Sequence, residues 1–327
     1  MSHTSVVRRH RRGSAGARTS VLLTAALTLT GLLTAPLAAA TQAPVPVSTC
    51  DARITGAAVL TQDLQCPQTA APWLEPGASL DLAGHTVHGT QGGLGIRVAP
   101  TGHATVRNGT VSGFEIGISR DWGESYPPLP HEGTLPVEGV TFRGTMIGVE
   151  AHLGHLVVLG STFRENTAGV WCYTTCEIRR STFVENSGGV LTAATGVVVT
   201  DSTFRGHQGI AYQSYDPDVT RFTDRTPHRL ERNTFFDNAT ALDLGDIGAV
   251  VRANVLRRND VAVHAYDWTP GTPFPRGRLL EHNTFVENDV VVDSSSAHLS
   301  ARGNLVVGTP GGTLGGARDL GGNVVLP

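Results

Sequence analysis

Apolar positions recur along this chain in a fixed pattern. Short triplets that end in an aromatic or aliphatic residue return at intervals near 20 or 21 residues, as in Ser161-Thr-Phe163 and Asn233-Thr-Phe235. Regular self-similarity of this length is typical of repeat architectures. Taking the third residue of each triplet as an anchor, the anchors are Val87, Val111, Phe142, Phe163, Phe183, Phe204, Phe235, Leu256, Phe285 and Val306.

Each repeat contains three short apolar segments. A small residue and an aliphatic one follow the anchor by five to seven positions, as in Gly148-Val149 and Gly209-Ile210, and a third apolar run such as 197–199 comes later. The segments are too short and too rich in β-branched residues for helices. The pattern predicts an all-β fold, a single-stranded parallel β-helix of about ten coils with three short strands per coil. We expect it to span 80–310, with an N-terminal cap at 41–79 and a Gly-rich C-terminal cap or tail at 311–327.

A column of asparagines accompanies the anchors. Five of them fall three residues after an anchor, where Asn tolerates a left-handed turn and stacked amides can hydrogen-bond from coil to coil. We expect a structural role for these residues, and we expect the anchor Phe rings to stack inside the coils. The five are Asn166, Asn186, Asn238, Asn259 and Asn288.

Two features of the chain resemble a known family. The repeat has the N-x-F-x-x-N style, and the segments 80–89 (LDLAGHTVHG) and 106–113 (VRNGTVSG) look like the opening coils of the pectate-lyase-like superfamily. The resemblance covers roughly 78–310 and implies a right-handed parallel β-helix. It does not imply one activity, because the superfamily includes polysaccharide lyases, glycosidases, epimerases, phage tail enzymes and members with no known reaction.

The N-terminal 40 residues have the three parts of a secretory signal. Five Arg precede an apolar run, and Ala38-Ala39-Ala40 supplies a small-residue cleavage site. We expect cleavage near Ala40 and a secreted protein, extracellular or associated with the cell envelope, with no membrane anchor. Four cysteines in an exported chain predict disulfides. Of the three possible pairings we favour Cys50 with Cys66 and Cys172 with Cys176, because each pair is close in sequence.

Charge excludes several functions. All 25 basic residues are Arg against 28 acidic ones, and the signal removes five Arg, so the balance changes from −3 to 20 − 28 = −8. An acidic mature protein argues against nucleic acid and against anionic membranes as partners. The absence of Lys from the sequence excludes lysine Schiff-base chemistry and a P-loop.

Three repeats are longer than the rest, and their extra residues fall between the second and third strands. The inserted segments, about 120–136, 213–228 and 267–277, are rich in Pro, Asp and aromatic residues, as binding loops often are. They leave from one corner of the helix. We therefore expect a binding site there.

Strand alternation predicts one outward row next to these segments. It reads Ser119, Glu150, Trp171, Leu191, Ala211, Asp243, His264 and Asp293. The catalytic candidates are Asp243, His264 and Asp293, on three successive coils, where a carboxylate could orient an imidazole or all three could hold a metal. The alternative is a solvated sheet face whose Asp and His form a surface pair of small energy.

Aromatic and acidic residues near this row suggest a ligand. Trp171, Tyr173, Tyr266 and Trp268 are candidates for stacking on sugar rings, and Tyr215 and Asp216 are further candidates for binding the substrate. Tyr215-Asp216-Pro-Asp218 resembles the D-P-H signature of mannuronan epimerases, although Asp218 stands in place of the His. Calcium is a possible cofactor, with Asp216, Asp218 and Asp246 as candidate ligands and Asp224 and Asp243 as further oxygens, or the segment is a solvated loop.

Two functions remain open from the sequence. The first is a secreted carbohydrate-active protein acting on an extracellular polysaccharide as a lyase, epimerase or hydrolase. The second is a non-catalytic secreted protein that binds polysaccharide or the cell envelope with the same face. The first predicts a groove of substrate size, and the second predicts scattered, solvated side chains.

Overall fold

The computed structural model of the chain describes residues 43–120, 133–215, 226–245, 247–267, 277–296, 298–310 and 312–327. Within these ranges the regular elements are β-strands, numbered here in chain order, and their pairings are parallel. None of the described segments forms a helix with the length and apolarity that a membrane crossing requires.

The strands stack in three columns, one for each segment of the repeat. The first column contains the anchor strands β4 (Leu64–Gln65), β7 (Thr86–His88), β9 (Thr105–Ser112), β11 (Thr134–Arg143), β14 (Thr162–Arg164), β17 (Thr182–Val184), β20 (Thr203–Arg205), β23 (Thr234–Phe236), β26 (Val255–Arg257), β29 (Thr284–Val286), β32 (Leu305–Val307) and β34 (Val324–Leu326).

The second column forms a sheet of its own, with eleven strands. It consists of β2 (Arg53–Ile54), β5 (Trp73–Leu74), β8 (Leu94–Val98), β10 (Ile116–Arg120), β12 (Ile147–Ala151), β15 (Ala168–Cys172), β18 (Gly188–Thr192), β21 (Ile210–Ser214), β24 (Thr240–Leu244), β27 (Val261–Ala265) and β30 (Val290–Ser294).

The third column shares β9 and β11 with the first, because these two longer strands run through both positions. Its other strands are β1 (Val45–Val47), β3 (Ala57–Leu60), β6 (Ser79–Asp81), β13 (His155–Leu159), β16 (Thr175–Arg179), β19 (Val198–Thr200), β22 (His228–Glu231), β25 (Ala249–Arg252), β28 (Arg278–Glu281), β31 (Leu299–Arg302) and β33 (Arg318–Asp319).

This arrangement confirms the predicted all-β parallel β-helix with three short strands per coil. The right-handed sense stays a prediction. Parallel pairing also extends beyond 80–310, since β1 and β3 stack on β6, and β33 and β34 stack on β31 and β32. The widest gaps between the second and third columns separate β10 from β11, β21 from β22, and β27 from β28, where the long segments were expected.

A stack of aromatic rings forms the centre of the core. The anchor rings from Phe142 to Phe235 lie 4.6–4.8 Å apart between centroids and nearly parallel, and they are fully buried. The small residue of each repeat makes room for them. A Cβ at Gly148 would lie 2.7 Å from the ring of Phe163 and 2.5 Å from the carbonyl oxygen of Gly169. The aromatic stack therefore explains why a small residue recurs near the start of the second strand.

The predicted asparagine column is a hydrogen-bonded ladder. The Oδ1 of Asn259 accepts from the backbone N–H and the Nδ2 of Asn238, and the Nδ2 of Asn259 donates to the carbonyl of Phe235. The left-handed residue is not the Asn itself but the one before it, with φ of 57° at Glu165 and 54° at Glu185. Asn is therefore required here for its amide.

A second ladder, which the sequence analysis missed, runs along the corner between the third and first columns. It uses the same pattern of amide bonds, for example from the N–H and Nδ2 of Asn254 to the Oδ1 of Asn283. Its members are the residues that open the recurring triplets, with serines in the earlier coils and asparagines in the later ones: Ser161, Ser181, Ser202, Asn233, Asn254, Asn283, Asn304 and Asn323.

Both predicted disulfides are present. Cys50 pairs with Cys66, and Cys172 pairs with Cys176. Cys172 ends β15 and Cys176 lies in β16, so the second bond closes a corner between the second and third columns. Two disulfides are typical of proteins in an oxidising compartment.

Candidate functional site

Strand register places the candidate residues in one row along the outside of the second column. We call these residues the outer row: Ser119, Glu150, Trp171, Leu191, Gln213, Asp243, His264 and Asp293. Neighbours in the row are one coil apart, about 4.8 Å.

One predicted member of the row was wrong. Ala211 is buried, and Gln213 takes the outward position between Leu191 and Asp243. The reason is that Tyr212, not Ile210, fills the interior position of this coil. Tyr212 follows its anchor Phe204 by eight residues, whereas Val190 follows Phe183 by seven, so the corner in this coil holds an extra residue.

Asp243 and His264 form the centre of the site. The Nδ1 of His264 lies 2.9 Å from one carboxylate oxygen of Asp243, and the Nε2 of Gln213 donates to the other oxygen at 2.9 Å. The Asp243 side chain is 6% exposed and that of His264 39%. A carboxylate oxygen accepts this hydrogen bond, so in a neutral imidazole the contact places the proton on Nδ1 and leaves Nε2 as the acceptor.

Asp293 is the next residue of the row. It pairs in register with His264, and its side chain is exposed. The three predicted catalytic residues therefore lie on successive coils as expected, and the hydrogen bond joins the first two. The predicted metal role for the trio is not supported, because the described residues contain no group of three or more His, Cys, Asp or Glu arranged to hold a metal ion.

Aromatic rings line the same face two residues after the outer row. The ring of Tyr173 stacks on Trp171 at 5.3 Å and on His152 at 4.2 Å, and Tyr266 stacks on His264 at 5.1 Å. Burial, with the nearby charge of Glu150 and then of Tyr215, raises the pKa of Tyr173. The structure thus brings the predicted sugar-binding residues Trp171, Tyr173, Tyr215 and Tyr266 to one face.

A buried arginine that the sequence analysis missed supports this face. The guanidinium of Arg278 donates to the carbonyl oxygens of Gly245 and Tyr266 and pairs with Asp267 at 2.9 Å. It is 2% exposed. Arg278 and Leu280 alternate within β28 and both are buried, so an inward arginine was readable from the period of two. It fixes the residues that follow β24 and β27.

Four of the predicted site residues, Asp216, Asp218, Asp246 and Trp268, lie outside the described residues, as does Asp224. The predicted calcium site and the resemblance of 215–218 to the epimerase signature therefore stay predictions. The same holds for the signal segment 1–40.

The parallel β-helix of this chain is shown by its own strand pairing. No protein-family model, no curated protein and no solved structure matches the chain. The resemblance to the pectate-lyase-like superfamily therefore stays a prediction, and a function for the site has to be argued from its geometry.

Proposed function

We propose that this chain is a secreted carbohydrate-active protein that binds an extracellular polysaccharide along the outer row and transfers protons through His264. The observation that carries the proposal is the 2.9 Å contact between His264 and Asp243 beside stacked aromatic rings. The half-buried rings of Trp171 and Tyr173 suit contact with the apolar faces of sugar rings, while their polar atoms suit the hydroxyl groups.

The pair has the geometry of an oriented base. Asp243 fixes the tautomer of His264, Gln213 fixes Asp243, and the Nε2 of His264 is then the atom that takes up a proton. Asp293, one coil further along, supplies a carboxyl group on the same face. A base and an acid on either side of one bond are what hydrolysis of a glycosidic linkage requires.

The charge of the face favours hydrolysis among the three reaction types. Lyases and epimerases that act on uronates remove a proton next to the sugar carboxylate, and the charge that develops there needs a cation nearby. The second strands from β12 to β30 contain no Arg, and the sequence contains no Lys. Calcium and the arginines of the inserted segments, Arg221, Arg225 and Arg276, lie outside the described residues, and the uronate substrates of the panel below test whether they supply that charge.

The test is turnover by the processed chain, which starts near Thr41, on a panel of neutral and uronate polysaccharides, with calcium or with chelator. New reducing ends report hydrolysis and new double bonds report a lyase. We expect reducing ends, and we expect Asp243→Asn and His264→Ala each to lower the rate by at least about 100-fold, the range of a lost general base.

Asp237→Asn is the matched control, because Asp237 is an exposed carboxylate paired with Arg258 away from the outer row. Full activity in both site variants would reject the assignment of Asp243 and His264. Retention of a glycan on a column without turnover would support the non-catalytic binder instead.

A further inference from the structure

An apolar cleft adjoins Trp171 on the outer face of the second column. Its volume is about 340 Å³, at the small end of ligand pockets, and suits one sugar residue rather than a whole chain. Its centre is Gly188, and no charged side chain lines it. The residues that shape it are Ile147, Ala168, Trp171, Leu191, Ile210 and Gln213.

Gly188 creates the depression. It stands in register between the outward residues Ala168 and Ile210, so the coil between them has no side chain at this point. The tip of Leu191 would lie only 3.0 Å from a Cβ placed on Gly188, which shows that Leu191 borders the cleft. Gln213, at the far wall, uses its Nε2 to bind Asp243 and keeps its amide oxygen as an acceptor.

Positive and negative charges are distributed differently over the three columns. The second strands from β12 to β30 contain Glu150, Asp243 and Asp293, and the exposed Asp260 and Asp289 directly precede β27 and β30. The second column has exposed arginines only in its N-terminal strands among the described residues, Arg53 in β2 and Arg97 in β8. The other columns have many: Arg107, Arg143, Arg164, Arg179, Arg205, Arg229, Arg252, Arg257 and Arg302. The described second strands from β12 to β30 therefore carry net negative charge, which repels anionic sugars over a screening length of about 8 Å.

We propose that the cleft holds the acetamido group of an N-acetylated sugar, so that the polysaccharide is a neutral chain containing N-acetylhexosamine. This inference rests on the proposed function and adds the class of sugar. The methyl group suits the apolar wall, the amide N–H suits the free oxygen of Gln213, and the lack of charge suits the acidic face. Trp171 and Asp243 are three coils apart, about 14 Å, so a chain bound in the cleft reaches the His264 pair with a neighbouring sugar.

Calorimetric titration with four hexasaccharides tests the inference: those of N-acetylglucosamine, glucosamine, glucose and galacturonate. We expect the N-acetylglucosamine hexamer to bind about tenfold more tightly than the glucose hexamer, the combined gain of burying one acetyl methyl group and of one hydrogen bond to Gln213. Galacturonate should bind most weakly.

Gly188→Leu fills the cleft without adding charge, and we expect it to abolish the tenfold preference. Gly188 has no left-handed backbone and only the flexible tip of Leu191 must shift, so the variant can fold. Gly56→Leu is the matched control, since a side chain there meets nothing within 4 Å. Leu191→Gln, which makes the wall polar at nearly constant volume, should reduce the preference in the same way.

The outcomes separate the two proposals. Equal affinity for the glucose and N-acetylglucosamine hexamers, tighter binding of galacturonate, or a preference for N-acetylglucosamine over glucose that survives Gly188→Leu would overturn the cleft assignment and leave polysaccharide binding intact. Absence of binding by every hexamer and every polysaccharide of the panel would overturn the proposed function itself.

Discussion

His207 occupies a position that the first ladder reserves for asparagine. It lies three residues after Phe204, it is 2% exposed, and its backbone N–H donates to the Oδ1 of Asn238 in the usual way. Its ring does not continue the ladder towards Asn186. Nδ1 contacts the carbonyl oxygen of Arg205, and Nε2 has no hydrogen-bond partner among the described residues. Burial lowers the pKa of His207 to about 4.

His207→Asn should therefore stabilise the protein. The new amide supplies the acceptor that Asn186 lacks and removes a buried, unpartnered nitrogen, which predicts a gain of about 1 kcal/mol in the free energy of unfolding. Urea unfolding at pH 7 measures it. His298→Asn, at an exposed histidine, is the control and should change little. A loss of stability in His207→Asn would show that the ring packing outweighs the ladder.

Only two residues connect β15 to β16 at the binding face, and a disulfide closes this short connection. Tyr173 lies between the bonded Cys172 and Cys176, and its ring stacks on Trp171 and His152. A short closed loop limits the positions open to Tyr173. The disulfide therefore acts on the orientation of the aromatic rings as well as on stability.

Replacing Cys172 and Cys176 by Ala should cost roughly 2 kcal/mol of stability, the loop entropy of a bond with a separation of 4 residues. It should also weaken glycan binding. The matched double variant is Cys50→Ala with Cys66→Ala. The disulfide that it removes closes a longer loop, with a separation of 16, so its loss should cost roughly 3 kcal/mol of stability without changing glycan affinity. Thermal unfolding of both double variants measures the loss of stability, and calorimetric titration measures their glycan affinity. Equal glycan affinity in the two variants would contradict a role of the Cys172–Cys176 disulfide in positioning Tyr173.

The sequence predicted those elements that repeat without interruption. Anchors, second strands and the first Asn column share one register, so alternation also placed Asp243, His264 and Asp293 correctly on successive coils. The errors fall where periodicity fails. Tyr212 required an extra residue in its corner, which a strict repeat cannot show, and the partners of Arg278 come from segments far apart in sequence. The second ladder was hidden because serine replaces asparagine in its first coils.

Ion pairs that link neighbouring coils are spread over the first and third columns. Arg232 pairs with Asp201, Arg258 with Asp237, and Arg302 with Glu281. Their arginines lower the pKa of Asp201 and Asp237. Each exposed pair contributes little to stability, typically less than about 1 kcal/mol. Stability of the whole body therefore rests mainly on the stacked core and the two ladders.

As the pH is lowered from 7, the first loss of stability should come from two buried histidines in one coil. Burial lowers the pKa of His207 to about 4 and that of His228 to about 3. In the unfolded chain histidine titrates near 6.5, so between that pH and about 4 the unfolded state binds more protons and stability falls as the pH is lowered. We expect a loss on the order of 1–3 kcal/mol per histidine by pH 4.5.

Urea unfolding at pH 7, 6, 5 and 4.5 measures this loss. Carboxylates with lowered pKa values begin to lose their contribution only near pH 5, so the loss between pH 7 and about 5 reports the histidines. In His207→Asn, the free energy of unfolding should depend less steeply on pH, because one of the two buried histidines is gone. A free energy of unfolding that is constant from pH 7 to 4.5 would contradict the burial of both rings as neutral groups.

The outer row makes the spacing of recognition groups discrete. Each coil contributes one side chain to the outer row, so any two groups of this row are separated by a whole number of steps of about 4.8 Å. Replacing Leu191 or Gln213 changes the side chain that a ligand contacts in one coil and leaves the interior stack unchanged. Inserting a coil moves every later group of the row by one step. Substitutions in the outer row can thus change the affinity for a ligand, and added coils can change the length of chain that is bound, without altering the fold that supports the row.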